Sequence, residues 1–179
     1  ERLRSRILRV VIDTAWHQPP EDEIVATARI LLSPLERAGI CLAIENHDRF
    51  KARALAQIME RIDSPWVGVC LDTVNSFGVL EGPEVVVETL GCWAVNLHLK
   101  EFIVRRASHT MGFAVEGRPA GQGQLDVPWL LRRLQEMRRD PNAILEQWIP
   151  PEETLAATIQ KEDAWATASI AYLRQLIQD

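Results

Sequence analysis

Residues 67–101, VGVCLDTVNSFGVLEGPEVVVETLGCWAVNLHLKE, carry the reading that decides the fold. Val67 to Thr73 (VGVCLDT) and Val95 to Glu101 (VNLHLKE) are apolar at nearly every position until their ends, as strands buried on both faces should be. Pro83 to Leu90 between them reads as a helix, so the stretch is strand, helix, strand: one βα step of a parallel sheet. Working outward, the same pattern yields strands at Ile7 to Asp13 (ILRVVID), Cys41 to His47 (CLAIENH) and Ala143 to Trp148 (AILEQW). Glu21 to Ala38 places Ile24, Ala28, Leu31, Leu32 and Leu35 at helical spacing and stops at Gly39, where positive φ closes a helix. Arg49 to Ile62, Val127 to Met137 and Pro151 to Ile177 also read as helices, the last as two helices or one broken near Gln160 to Asp163. The expectation is a single α/β domain over residues 1–179.

Composition narrows the function. With 47% hydrophobic and 25% charged residues, the chain is globular. Its net charge of −5 and the absence of a basic, aromatic-studded stretch argue against nucleic acid as a partner. No apolar run approaches the roughly 18 residues of a membrane span, and no leader-like segment stands at the start, so a soluble, untargeted protein is expected. Cys41, Cys70 and Cys92 are odd in number and lack CxxC spacing, which fits a reducing cytoplasm better than a disulfide framework. The opening Glu1-Arg2-Leu3-Arg4-Ser5-Arg6 has no Met and reads as if it began inside a helix, as a fragment would.

The polar residues fall where the strands end: Asp13, Glu45, Asp72, His98 and Glu146. The intervals from Glu45 to Asp72 and from Asp72 to His98 are 27 and 26 residues, close to the ~31 of one unit in a typical (β/α)8 barrel. In parallel α/β architecture neighbouring carboxyl ends lie side by side, so these side chains are expected to converge on one mouth. Before Glu146 a long excursion, Phe102 to Leu125, reads as a lid or substrate loop.

Taken singly, Glu45 or Asp72 reads as a helix cap and His98 as a core histidine. Together, two Glu, one Asp and one His repel or take up protons unless a cation joins them. Three carboxylates and an imidazole suit one divalent ion with positions left for substrate oxygens: manganese first, with magnesium, cobalt and zinc also fitting.

IENHDR at 44–49, LDTVN at 71–75, HLKE at 98–101, GQGQLD at 121–126 and ILEQW at 144–148 resemble, in this order, the xylose isomerase-like TIM barrels, in particular their sugar phosphate isomerase/epimerase branch. The resemblance spans about residues 7–177. It implies that Glu45, Asp72, His98 and Glu146 hold a single divalent cation on the last four strands. It also implies that the chain is a partial (β/α)8 barrel of the last five βα units, without the first three. Asn75 stands where some ketose epimerases of the family carry His, Glu101 where Asp is more usual, and Gln122 where the turn often has Glu.

The activity implied is a metal-dependent sugar isomerase or epimerase that works through an enediolate. Glu45 and Glu146 would exchange the proton from opposite sides, and Lys100 would assist proton transfer or neutralise an oxyanion. His47, Arg49, Asn75, Arg105, Arg106 and Trp148 are candidates for contact with substrate oxygens, phosphate or ring, and Trp16 and Trp93 for lining a sugar-sized cavity. The partner is a small carbohydrate; a homo-oligomer is compatible. A dehydratase that expels a β-hydroxyl from a keto-sugar or keto-inositol is the alternative. An apurinic endonuclease-like nuclease would need more His and acidic ligands, and a non-catalytic domain ranks with it below the isomerase or epimerase and the dehydratase. Five strands are too few to close, so exposed sheet edges, self-association and weakened metal affinity are expected of residues 1–179 alone.

Overall fold

The structure is a computed structural model that describes residues 4–108 and 111–177. Among the described residues seven strands and five α-helices follow one another: β1 (Ile7–Val10), α1 (Glu21–Ala38), β2 (Cys41–Glu45), α2 (Ala52–Ile62), β3 (Val67–Asp72), α3 (Pro83–Leu90), β4 (Ala94–Leu99), β5 (Glu101–Arg106), β6 (Phe113–Arg118), α4 (Val127–Glu136), β7 (Asn142–Leu145) and α5 (Leu155–Leu173). The main sheet has the order β1-β2-β3-β4-β7, with a separate ribbon β5-β6. Five strands in this order, with helices in the crossovers, make the fold α/β and a partial (β/α)8 barrel.

The chain divides into two compact units. The first takes the described residues up to Leu97 together with Arg133–Ala143, and so contains β1, β2 and β3, the first four residues of β4 and the first two of β7. Here β1 pairs with β2 in parallel, Ile7 opposite Cys41 and Val10 opposite Ile44, and β2 with β3, Leu42 opposite Val67 and Glu45 opposite Cys70. Leu42, Ala43 and Ile44 on β2 and Val67, Val69 and Leu71 on β3 are buried, as are Leu55, Ile58 and Ile62 of α2 and Val86, Val87 and Leu90 of α3. Burying side chains of this size stabilises by about 1.5–3 kcal/mol each before conformational entropy is subtracted. Helix α1 carries Glu21, Asp22 and Glu23 in its first turn and Arg37 in its last, matching the helix dipole. It ends at Gly39, whose φ of 64° lets its N–H reach the Glu36 carbonyl and the next N–H reach that of Leu35.

The second unit takes His98–Arg132 and the described residues from Ile144 onward. Its ribbon is antiparallel, Glu101 opposite Arg118 and Arg106 opposite Phe113. Helix α5 is capped by Thr154, whose side chain accepts the Ala157 N–H.

Several expectations are corrected. The excursion Phe102 to Leu125 is not an irregular loop but the β5–β6 ribbon followed by a tight turn; its His109 and Thr110 lie outside the described residues. The C-terminal helix is unbroken at Gln160 to Asp163, because these polar residues stand on the helix surface, where Lys161 pairs with Glu152 and lies over the Trp165 ring. The helix expected from Arg49 begins at Ala52, because Arg49 is engaged elsewhere, and β1 ends at Val10 rather than Asp13. Of the opening, Glu1 to Leu3 lie outside the described residues, and Arg4 to Arg6 are not helical.

Candidate functional site

In the first unit, two carboxylates stand at strand C-termini. Glu45, the last residue of β2, is 4% exposed. Its Oε1 accepts the Asn75 amide N–H at 2.9 Å, and its Oε2 lies 3.0 Å from the Arg9 guanidinium. Asp72, the last residue of β3, is fully buried. One of its oxygens accepts the backbone N–H groups of Val74 and Asn75, each at 2.8 Å, which turns the chain sharply out of the strand. Its backbone is clasped by Asn46, whose amide oxygen accepts the Asp72 N–H at 2.7 Å while its NH2 donates to the Asp72 carbonyl at 2.9 Å and to the Ser76 hydroxyl at 3.0 Å. Two residues before Asp72, the Cys70 thiol is pushed up to about 12, chiefly by burial and further by Glu45 and Asp72, against the Asn96 hydrogen bond that opposes the shift. That keeps it a protonated thiol at neutral pH, a poor nucleophile.

Arg49 donates to Asp13 at 2.6 Å and to the Pro19 carbonyl at 2.9 Å, tying down the segment that follows β1. His47 is half-buried, with Nδ1 2.6 Å from Asp48, and this hydrogen bond holds the Asp48 carboxyl below its ordinary value. Trp16 is 94% exposed. Trp93 directly precedes Ala94, the first residue of β4, and so stands at the end of the strand away from His98. It does not line a mouth at the C-terminal ends.

In the second unit, His98 and Lys100 are buried at the end of β4. Glu146, the residue after β7, is fixed by its N–H donating to the Leu99 carbonyl at 3.1 Å. Its two oxygens are divided: Oε2 lies 2.6 Å from His98 Nδ1 and Oε1 2.9 Å from Lys100 Nζ. Trp148 donates its indole N–H to the Glu101 carbonyl at 3.1 Å. Arg105 and Glu116 form an exposed pair on the ribbon, in which Arg105 holds the Glu116 carboxyl below its ordinary value. Arg106 lies 5.9 Å over the Phe113 ring. Both arginines are exposed on the β5–β6 ribbon.

The structure therefore groups Glu45, Asp72 and Asn75 in one unit and His98, Lys100 and Glu146 in the other. Two residues that hold the first of these groups, Arg9 against Glu45 and Asn46 against Asp72, escape a reading by composition. Arg9 interrupts the apolar run ILRVVID, and a lone cation in a strand is the signal that could have found it. Asn46 sits inside IENHDR, where its neighbours draw attention first.

Parallel strands with helices in the crossovers, ending in acids and an imidazole, are the frame of a (β/α)8 barrel. The chain belongs to the xylose isomerase-like TIM barrel family, whose sequence profile matches residues 1–176. It is 35% identical over 171 residues to a 3-oxo-isoapionate decarboxylase of Pectobacterium atrosepticum, covering 96% of this chain and 62% of that protein. The chain thus spans less than two thirds of that relative's length. In fold it is similar to a xylose isomerase-like TIM barrel protein from Mycobacterium smegmatis in complex with magnesium, with a TM-score of 0.70, 13% identity, and coverage of 95% of this chain and 63% of that one. It is likewise similar to D-psicose 3-epimerase from Clostridium cellulolyticum H10 with D-tagatose, with a TM-score of 0.67, 15% identity, and coverage of 93% and 61%. Among the described residues no helix is long and apolar enough to cross a membrane.

Proposed function

We propose that Glu45, Asp72, His98 and Glu146 together hold one divalent cation, and that the protein is an enzyme acting on a sugar-derived hydroxy-ketone through an enediolate. The observation that carries the proposal is the donor set: three carboxylates and one imidazole able to serve as metal ligands, each at the C-terminal end of a parallel strand. The residues fit such an ion. The set is that of hard and borderline divalent metals, and buried carboxylates need a positive partner. Arg9 faces Glu45 and Lys100 faces Glu146, so both glutamates are balanced by positive charge, while Asp72 accepts backbone N–H groups. Manganese is the ion proposed, with magnesium, cobalt and zinc as alternatives.

When bound, the ion supplies a Lewis acid that lowers the pKa of a C–H beside a carbonyl. The chain's own residues supply the rest. Asn75 donates an N–H to Glu45 and so orients that carboxylate. Glu146 shares its charge between His98 and Lys100, which holds it in one rotamer. In the isomerase or epimerase reading, Glu45 and Glu146 take up and return the substrate proton, and Lys100 donates to the oxygen on which negative charge develops.

A lyase is the second reading, favoured by the similarity to a decarboxylase over 96% of the chain. Cleavage of the C–C bond in a 3-oxo sugar acid leaves its electron pair in the same enediolate as carbon dioxide departs, and Arg9 and Lys100 are cations of the kind a carboxylate substrate requires. Loss of a β-hydroxyl from the same enolate is the dehydratase variant.

The test incubates the full-length protein with manganese in D2O, with ketoses and, separately, with 3-oxo sugar acids. Solvent deuterium entering a ketose without gas release supports the isomerase or epimerase. Carbon dioxide release from the acid supports the lyase. The absence of both outcomes in a protein that binds manganese overturns the proposal.

A further inference from the structure

We infer that Glu101 is a positioning residue that holds Lys100 and Glu146 in register by pinning the turn 119–125 to the junction of β4 and β5. The inference rests on the metal reading above. Glu101 is 2% exposed, and its carboxylate accepts three backbone N–H groups. Oε1 accepts the N–H of Phe102 at 3.0 Å and of Leu125 at 2.9 Å, and Oε2 accepts the N–H of Gly121 at 3.0 Å. A buried carboxylate bound this way acts as a three-point clamp, because charge-assisted hydrogen bonds are roughly twice as strong as neutral ones.

The clamped segment is fitted closely to it. The Gln124 N–H donates to the Phe102 carbonyl at 2.8 Å, and a Cβ on Gly123 would run into both that carbonyl and the Glu101 carboxylate. Glu101 also acts through its main chain. Its carbonyl accepts the Trp148 indole N–H, two residues past Glu146, while the Leu99 carbonyl accepts the N–H of Glu146 itself. Lys100 lies between these two carbonyls in the chain. Whatever fixes the backbone of Glu101 therefore fixes both where Lys100 emerges and how the Glu146–Trp148 segment lies against it, including the 2.9 Å Lys100–Glu146 pair.

Glu101→Gln tests this in the full-length protein. The Gln amide keeps one acceptor but turns an NH2 toward an N–H donor at Gly121 or Leu125. Manganese affinity is read by calorimetry, and amide hydrogen exchange is read at Gly121 and Leu125. The expected result is faster exchange at both amides together with about a 10- to 100-fold loss of manganese affinity, the range typical for residues that orient metal ligands. Glu101→Asp keeps the charge on a stem one methylene shorter and is expected to recover part of the affinity; it also serves as the reading if the Gln variant does not fold. Faster exchange with unchanged manganese affinity in either variant overturns the inference, since a merely structural pin would behave so. Wild-type protein that binds no divalent cation overturns the metal reading itself, and the inference with it.

Discussion

Removing the Asn46 side chain is the sharpest perturbation of the first unit. Asn46 is 1% exposed and makes three hydrogen bonds, two of them to the backbone N–H and carbonyl of Asp72. In Asn46→Ala both Asp72 groups lose this partner in a fully buried setting, while the Ser76 hydroxyl can rotate toward another. A buried polar group left unsatisfied costs about 1–3 kcal/mol, so two cost about 2–6 kcal/mol. For a protein of this size each kcal/mol lowers Tm by about 2–4 °C, which places the expected drop at roughly 4–24 °C. Asn46→Asp separates geometry from charge: it keeps the acceptor for the Asp72 N–H but sets a carboxylate oxygen against the Asp72 carbonyl, and should be at least as damaging. Because the same clasp aims the Asp72 side chain, manganese affinity should fall about tenfold in either variant. Calorimetric melting with and without manganese measures both effects. A Tm within 2 °C of wild type for Asn46→Ala would refute the reasoning, since it would mean that the clasp carries no net energy.

Excess chelator should abolish turnover, and added manganese or cobalt should restore it; full activity in chelator would contradict the proposed role of the ion. Lys100→Met removes the cation beside Glu146 and should lower kcat about 100-fold with little change in KM, measured by steady-state kinetics on the full-length protein. In the first unit, Arg133 beside Glu88 holds that carboxyl below its ordinary 4.5. A depressed carboxyl stabilises above its unfolded value and loses that contribution as pH falls through the folded one, so Glu88→Gln should flatten the acid limb of stability below about pH 4.5. The effect is small because the pair is exposed, and 1 M salt should shrink it further in denaturant titrations from pH 2 to 7.

Legibility in the sequence followed the kind of interaction involved. The ends of α1 and α3 were readable because apolar spacing and Gly39 are local, and β2 and β3 because a strand covered on both faces shows as an uninterrupted apolar run. The metal-ligand candidates were readable by type: few side chains bind a hard cation, and they recur at strand ends. The β5–β6 ribbon was not readable, because its pairing of Glu101 with Arg118 and Arg105 with Ala114 is closed by the six residues 107–112 rather than by a two-residue turn signal. Arg9 looks like a blemish in ILRVVID until the parallel register sets it opposite Ala43, two residues before Glu45.

Asn46 and Glu101 are the hardest case. All of the partners of the Glu101 carboxylate, and two of the three of the Asn46 side chain, are backbone groups, which every residue possesses and which leave no trace in the sequence. A buried polar residue of this kind reads as an oddity by composition, and its role becomes visible only when the N–H and carbonyl groups that it satisfies have positions. The residues that orient a site are therefore less legible than the residues that do its chemistry. In the proposed site the two kinds are adjacent, Asn46 beside Glu45 and Glu101 beside Lys100, because a strand that ends in a functional side chain must also be turned and anchored at that point.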